Sequence, residues 1–109
     1  MSRPKTLKDI EGREVRLTKE RLEHILEHPE MAGMLDAIAE TLGSPETVMK
    51  SLTDPDARLY YRYYDSTLVG GKYLCVVVKQ HLEGDAFVLT AYLTDKVKRG
   101  EIKWPRKKQ

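Results

Sequence analysis

The chain contains a single cysteine, Cys75, so no disulfide can form within it and no zinc site can be assembled from cysteine pairs. That lone thiol lies in the strand-like run KYLCVVVK, where it reads as a small buried hydrophobe of a reduced, cytoplasmic protein. No run approaches the ~18 apolar residues of a membrane span, and the opening MSRPKTLKDI lacks the apolar core of a secretory signal. Neither export nor a membrane partner is expected. Internal repeats and low-complexity segments are absent as well.

What is present describes a globular protein, with 40% apolar and 33% charged residues in 109. This length predicts one domain, residues 1–109, burying roughly 60–65% of the unfolded chain's surface. The net charge of +2 is unevenly spread. Asp95 to Gln109 holds seven Lys or Arg against two acids, a net of +5, which leaves −3 for residues 1–94. A basic tail of about residues 95–109 on a nearly neutral body points to a polyanionic partner.

Hydropathy patterning divides the chain in two. TLKDIEGREVRLT alternates around Glu11-Gly12 and predicts a small β-hairpin. Thr18 then caps a helix from Lys19, with Leu22, Ile25 and Leu26 as its apolar stripe. A second helix is expected after Pro29, with Met31, Met34, Leu35, Ile38 and Leu42 on one face and Gly43 at its end. From there the period becomes two. ETVMKS, RLYYRYY, KYLCVVVKQ and AFVLTAYLT read as strands, separated by the turn residues of DPDA, GG and EGD. The expected fold is α+β: a short N-terminal hairpin and two helices packed on one face of a four-stranded antiparallel β-meander.

One short motif invites a metal reading. HILEH, His24 to His28, matches the H-x-x-E-H pattern of some zinc peptidases. Pro29 argues against it, because a residue before proline is pushed out of the helical region and His28 then loses its alignment with His24. A peptidase site also needs a third ligand and an open water position. Only His81 and scattered acids remain to supply one, so no metal and no cofactor are expected. At 100° per residue His24 lies roughly 200° from Leu22, opposite the apolar stripe.

Hairpin arithmetic sharpens the strands. A turn at Gly84-Asp85 sets Lys79 opposite Thr90 and Val77 opposite Tyr92, and a turn at Glu83-Gly84 preserves the parity. Leu74, Val76 and Val78 then share an apolar face with Phe87, Leu89 and Ala91, the face for the helices to cover. A turn at Gly70-Gly71 extends the array, pairing Arg62 with Lys79 and Tyr64 with Val77. The other face is then expected to present Tyr60, Arg62, Tyr64, Lys79, Thr90 and Tyr92. Two cations opposed across a ladder repel unless an anion lies between them, and tyrosine rings beside them suit stacking of unpaired bases.

With these elements in view, the chain resembles a known family. GREVRLTKERLEHILEHPEM, SPETVMKS, LYYRYY, KYLCVVVK and FVLTAYLTDKVKRGEIKW, in that order, are similar to the phage-type barnase–EndoU–colicin–RelE-like (BECR-fold) nuclease domains. The resemblance runs from Gly12 to Trp104 and implies amino-terminal helices on a four-stranded antiparallel sheet. It also implies a small RNA endonuclease, toxin-like or phage-derived. It points to His24 with His28 beside it, to Thr90 and Tyr92 of the TAY strand, and to Lys79 and Arg62.

Cleavage of RNA by its own 2′-hydroxyl needs no metal. It needs a base for the hydroxyl proton, cations for the charge on phosphorus and an acid for the leaving oxygen. The expected roles are His24, then His28, as acid–base groups, Arg62 and Lys79 as phosphate binders, and Thr90 or Tyr92 as orienting groups. Tyr60 and Tyr64 are the expected stacking residues. If the first helix does not sit at a sheet edge, His24 cannot reach that face, and catalysis falls to Lys, Arg and Tyr. The partner class is RNA, tRNA included, with a cognate inhibitor protein as a further candidate partner. The competing readings are a non-catalytic RNA- or protein-binding module of the same fold and a plain structural domain.

Overall fold

A computed structural model describes residues 5–81 and 84–105. The N-terminal alternation forms β1 (Lys5–Lys8) and β2 (Glu14–Leu17), paired antiparallel with Leu7 opposite Val15. Gly12 closes their turn at φ 80°, a left-handed conformation natural to glycine. Asp9 stabilises the same turn by accepting from the backbone N–H groups of Glu11 and Arg13. Thr18 caps α1 (Lys19–Leu26), its side chain accepting from the Arg21 N–H. His28 is extended (φ −86°, ψ 114°), as its position before proline requires.

Pro29–Met31 form a single 3₁₀ turn, and α2 (Leu35–Gly43) begins only after Gly33, which takes φ 76°. The second helix is therefore shorter than the apolar spacing suggests. Met31, Ile38 and Leu42 still bury together against the sheet. Gly43 is the last helical residue, not the residue beyond it, and Ser44 is the cap.

The remaining strands are β3 (Thr47–Lys50), β4 (Ala57–Thr67), β5 (Gly70–Gln80), β6 (Ala86–Thr94) and β7 (Glu101–Trp104). They overturn the expected four-stranded antiparallel meander. The sheet has seven strands, in the order β1-β2-β6-β5-β4-β3-β7, and it is mixed. The N-terminal hairpin joins it through a parallel contact of β2 with β6, Arg16 opposite Phe87. At the other edge β7, drawn from the basic tail, pairs antiparallel with β3. Ile102 and Trp104 alternate there with charged neighbours, and the density of basic residues masks that alternation in the sequence. Residues 106–109 of the tail and Glu83 of the alternative turn lie outside the described residues.

Both hairpin registers also differ from the expected ones. The β4–β5 turn is Leu68-Val69, with Thr67 opposite Gly70, and a bulge between Tyr64 and Thr67 then shifts the pairing by one residue, so that Arg62 pairs with Leu74 and Lys79 with Ala57. The new register has the opposite parity, and every β4 side chain changes face. In the β5–β6 hairpin a bulge lies between Val77, opposite Thr90, and Val78, opposite Val88. The extra residue turns Phe87 and Leu89 away from the helices.

The result is two cores. One lies between helices and sheet and includes Val48, Tyr60, Leu74, Val76, Val78 and Val88 with Ile25, Ile38 and Leu42. The other, on the opposite face, gathers Met49, Ala57, Leu59, Tyr61, Cys75 and Val77, with Leu89, Tyr92 and Val97 against it.

Candidate functional site

The register decides where each candidate side chain goes. On the helix-free face, β5 and β6 carry Lys79, Thr90 and Tyr92, with Lys79 opposite Phe87, Val77 opposite Thr90 and Cys75 opposite Tyr92. At the strand rise of ~3.3 Å per residue this row is about 13 Å long from Lys79 to the level of Tyr92. His81 follows Lys79 by two residues, the spacing that returns a strand to the same face. Its ring lies 5.4 Å from that of Phe87, centroid to centroid. Lys79 reaches the Asp54 carboxylate at 2.9 Å. This contact raises the Lys79 ammonium and lowers the Asp54 carboxyl from their ordinary values, so both charges persist across neutral pH.

The far end of the row is aromatic. The segment after β6 folds back so that the Lys98 ammonium stands 5.8 Å from the centre of the Tyr92 ring, within cation–π range. The Lys98 backbone N–H donates to the Tyr61 hydroxyl at 3.1 Å. Tyr73 meets both Tyr61 and Tyr63 edge to face. The Tyr92 hydroxyl is buried beside the Cys75 thiol and makes no hydrogen bond of good geometry among the described residues. Burial pushes its pKa up, so the phenol keeps its proton. It is the ring of Tyr92, not the hydroxyl, that faces outward with Lys98.

The other expected site residues lie on the helix side. Tyr60 is buried there and donates to Asp9 at 3.2 Å, with its pKa raised to about 12, chiefly by burial. Tyr64 donates to Glu40 of α2 at 2.7 Å, and burial raises its pKa to about 12 as well. Neither ring lies on the helix-free face with Lys79. Arg62 donates to the Ser44 carbonyl at 2.7 Å and sits 3.4 Å from Glu40, so it secures the C-terminal end of α2. His24 is exposed on α1, which packs on the helix side of β6, and its ring lies 3.5 Å from Glu27. His28 is exposed at the following corner. The structure thus brings together Lys79, Thr90 and Tyr92, and separates them from His24, His28, Tyr60, Arg62 and Tyr64.

Sequence reasoning passed over two residues of this face. His81 was legible, because QH after VVVK continues the period-two parity of Lys79. Lys98 gave no such signal, since its position depends on a loop folding back over the sheet. Among the described residues no group of three or more His, Cys, Asp or Glu is placed to hold a metal ion.

A mixed sheet backed by two helices, with a row of histidine, lysine, threonine and tyrosine on its other face, defines a small α+β domain. Over residues 1–108 the chain matches the family model for phage-Barnase-EndoU-ColicinE5/D-RelE like nuclease 2, and it belongs to that family. No curated protein and no solved structure matches it. Membership carries a nuclease role and a nucleic-acid substrate.

Proposed function

We propose that the chain is a metal-independent endoribonuclease working on the helix-free face of its sheet. The supporting observation is the shared face of His81, Lys79, Thr90 and Tyr92, with Lys98 over the Tyr92 ring. In this reading His81, exposed beside Lys79, accepts the proton of the RNA 2′-hydroxyl as that oxygen attacks the adjacent phosphorus. The Lys79 ammonium, fixed by Asp54, faces the charge gathering on the phosphate oxygens, and the Thr90 hydroxyl orients the same group. The bond from phosphorus to the 5′-oxygen breaks, that oxygen takes a proton from solvent, and a 2′,3′-cyclic phosphate remains. RNA supplies its own nucleophile, so this chemistry calls for no metal. Farther along the face, Lys98 and the Tyr92 ring offer a cation and an aromatic surface to a neighbouring nucleotide.

The test is cleavage of end-labelled RNA by four proteins: the wild type, His81→Ala, Lys79→Ala and His24→Ala. The reading expects a loss of about 10²-fold or more in the first two variants and near-wild-type rates in the third. Cleavage that depends on His24 and not on His81 refutes this face as the site. RNA that stays intact, yet is retained in a salt-sensitive gel shift, favours a binding module.

A further inference from the structure

One pair of cations does oppose directly across a ladder, on the other side of the sheet from the cleavage face. Lys50 of β3 lies opposite Arg58 of β4. Val48 and Tyr60, two residues away on each strand, belong to the helix-side core, so Lys50 and Arg58 point to that side beyond the end of α2. Like charges so placed destabilise a sheet. They are not pressed together, because a polar cleft of about 160 Å³ opens between them, lined by Lys50, Pro55, Asp56, Arg58, Gln80 and Lys103. Three cations face it against one carboxylate.

The carboxylates around this cleft satisfy its cations only in part. Lys103 pairs with Glu101 at 2.7 Å, whereas Arg58 meets Glu11 at a longer 3.4 Å through one nitrogen. Lys50 makes no direct ion pair among the described residues, although Glu101 stands opposite it across the β3–β7 ladder and its carboxyl is lowered first by Lys103 and, more weakly, by Lys50. A second cleft of about 410 Å³ adjoins the first, sharing Lys50 and Pro55 and adding Ser51, Leu52 and Glu101. Leu52 is 74% exposed there, a bare apolar surface beside a charged cavity.

We propose that the Lys50–Arg58–Lys103 cleft binds a phosphate group of a nucleotide, with the attached sugar and base lying along Leu52 and Pro55. A tetrahedral anion between Lys50 and Arg58 converts their repulsion into charge-assisted hydrogen bonds, and the Arg58 fork suits bidentate contact. Gln80 supplies a neutral donor on the same wall. The phosphate comes either from a mononucleotide or from a polynucleotide backbone. This site does not rest on the cleavage reading, since its residues project from the other side of the sheet.

Trp104, the single tryptophan, lines a crevice with Arg58 and Lys103 and serves as a built-in probe. Its fluorescence is followed while the full chain is titrated with inorganic phosphate, 5′-AMP and a short deoxyoligonucleotide. The last lacks the 2′-hydroxyl, so a failure of binding is distinct from a failure of cleavage. A saturable response to phosphate or 5′-AMP assigns a mononucleotide, and a response to the oligonucleotide alone assigns a backbone. In either case Lys50→Gln and Arg58→Ala are expected to weaken it at least about tenfold, and Arg21→Ala, a charge-matched control on α1, to leave it unchanged. Lys50→Gln removes the charge but keeps an unbranched polar side chain, one atom shorter, and should retain the wild-type melting temperature. No saturable response to any probe overturns the proposal, as does a response that Lys50→Gln and Arg58→Ala leave intact or that Arg21→Ala weakens equally.

Discussion

Replacing Tyr60 with phenylalanine separates two accounts of this residue. On an open face it would stack on RNA, and its loss would weaken binding without unfolding anything. The structure instead buries it, 2% exposed, with its hydroxyl 3.2 Å from the Asp9 carboxylate. Asp9 is equally enclosed and also takes the N–H groups of Glu11 and Arg13 and the Arg13 guanidinium at 3.2 Å. This cluster ties the β1–β2 hairpin to β4. A hydrogen bond to a charged group is worth about 1.5–3 kcal/mol. Because Asp9 keeps its other donors, Tyr60→Phe belongs at the low end, about 1.5–2 kcal/mol. In urea that lowers the unfolding midpoint by about 1 M for a chain of this size.

The same cluster has a signature in alkali. The Tyr60 pKa rises from 10.0 to about 12, chiefly because burial disfavours the phenolate, with the Asp9 carboxylate adding to it. A group whose pKa is raised on folding contributes stability fully present below its unfolded value and lost as pH climbs through its folded one. The stability gap between wild type and Tyr60→Phe should therefore hold below pH 10 and close between 10.0 and about 12. Urea titrations at several pH values measure it. An unchanged midpoint in Tyr60→Phe, together with weakened RNA binding, would refute this placement.

Two further outcomes are expected. At Gly100 an added Cβ would lie 2.5 Å from the Lys50 carbonyl oxygen, a backbone atom that cannot step aside, so Gly100→Ala should unseat β7 and cost about 1–3 kcal/mol in urea unfolding. A wild-type midpoint would show that β7 does not depend on this close approach. Asp54→Asn removes the carboxylate that holds Lys79 and should tighten RNA binding about two- to fivefold at low salt, as a gel shift would show. Weaker binding in that variant would mean that Asp54 positions Lys79 for its ligand.

How far the sequence carries depends on how local each signal is. The Thr18 cap, the extended His28 before Pro29 and the strand segments β3 to β6 follow from neighbours within a few residues, and they are legible. Faces are not, because period two converts a one-residue error into a complete inversion. Gly70-Gly71 looks like the turn, yet the chain turns at Leu68-Val69, since Gly70 is used for its φ of 88° as the strand resumes. Moving the turn by two residues keeps the parity; it is the bulge between Tyr64 and Thr67 that inverts it and takes Tyr60, Arg62 and Tyr64 to the helix side. The expectation that opposed cations mark an anion site applies to Lys50 and Arg58, whose pairing spans the SLTDPDA loop and cannot be registered by counting. The attachment of β2 to β6 and of β7 to β3 is tertiary, joining segments that nothing local connects.

The most direct measurement of the central claim is the chemistry of the cut. Purified protein is incubated in chelator with a labelled RNA and with the same RNA carrying 2′-deoxy substitutions. The account predicts scission of the first alone, with 2′,3′-cyclic phosphate ends that disappear in His81→Ala. Cleavage of the deoxy-substituted strand, or cleavage abolished by the chelator, would contradict it.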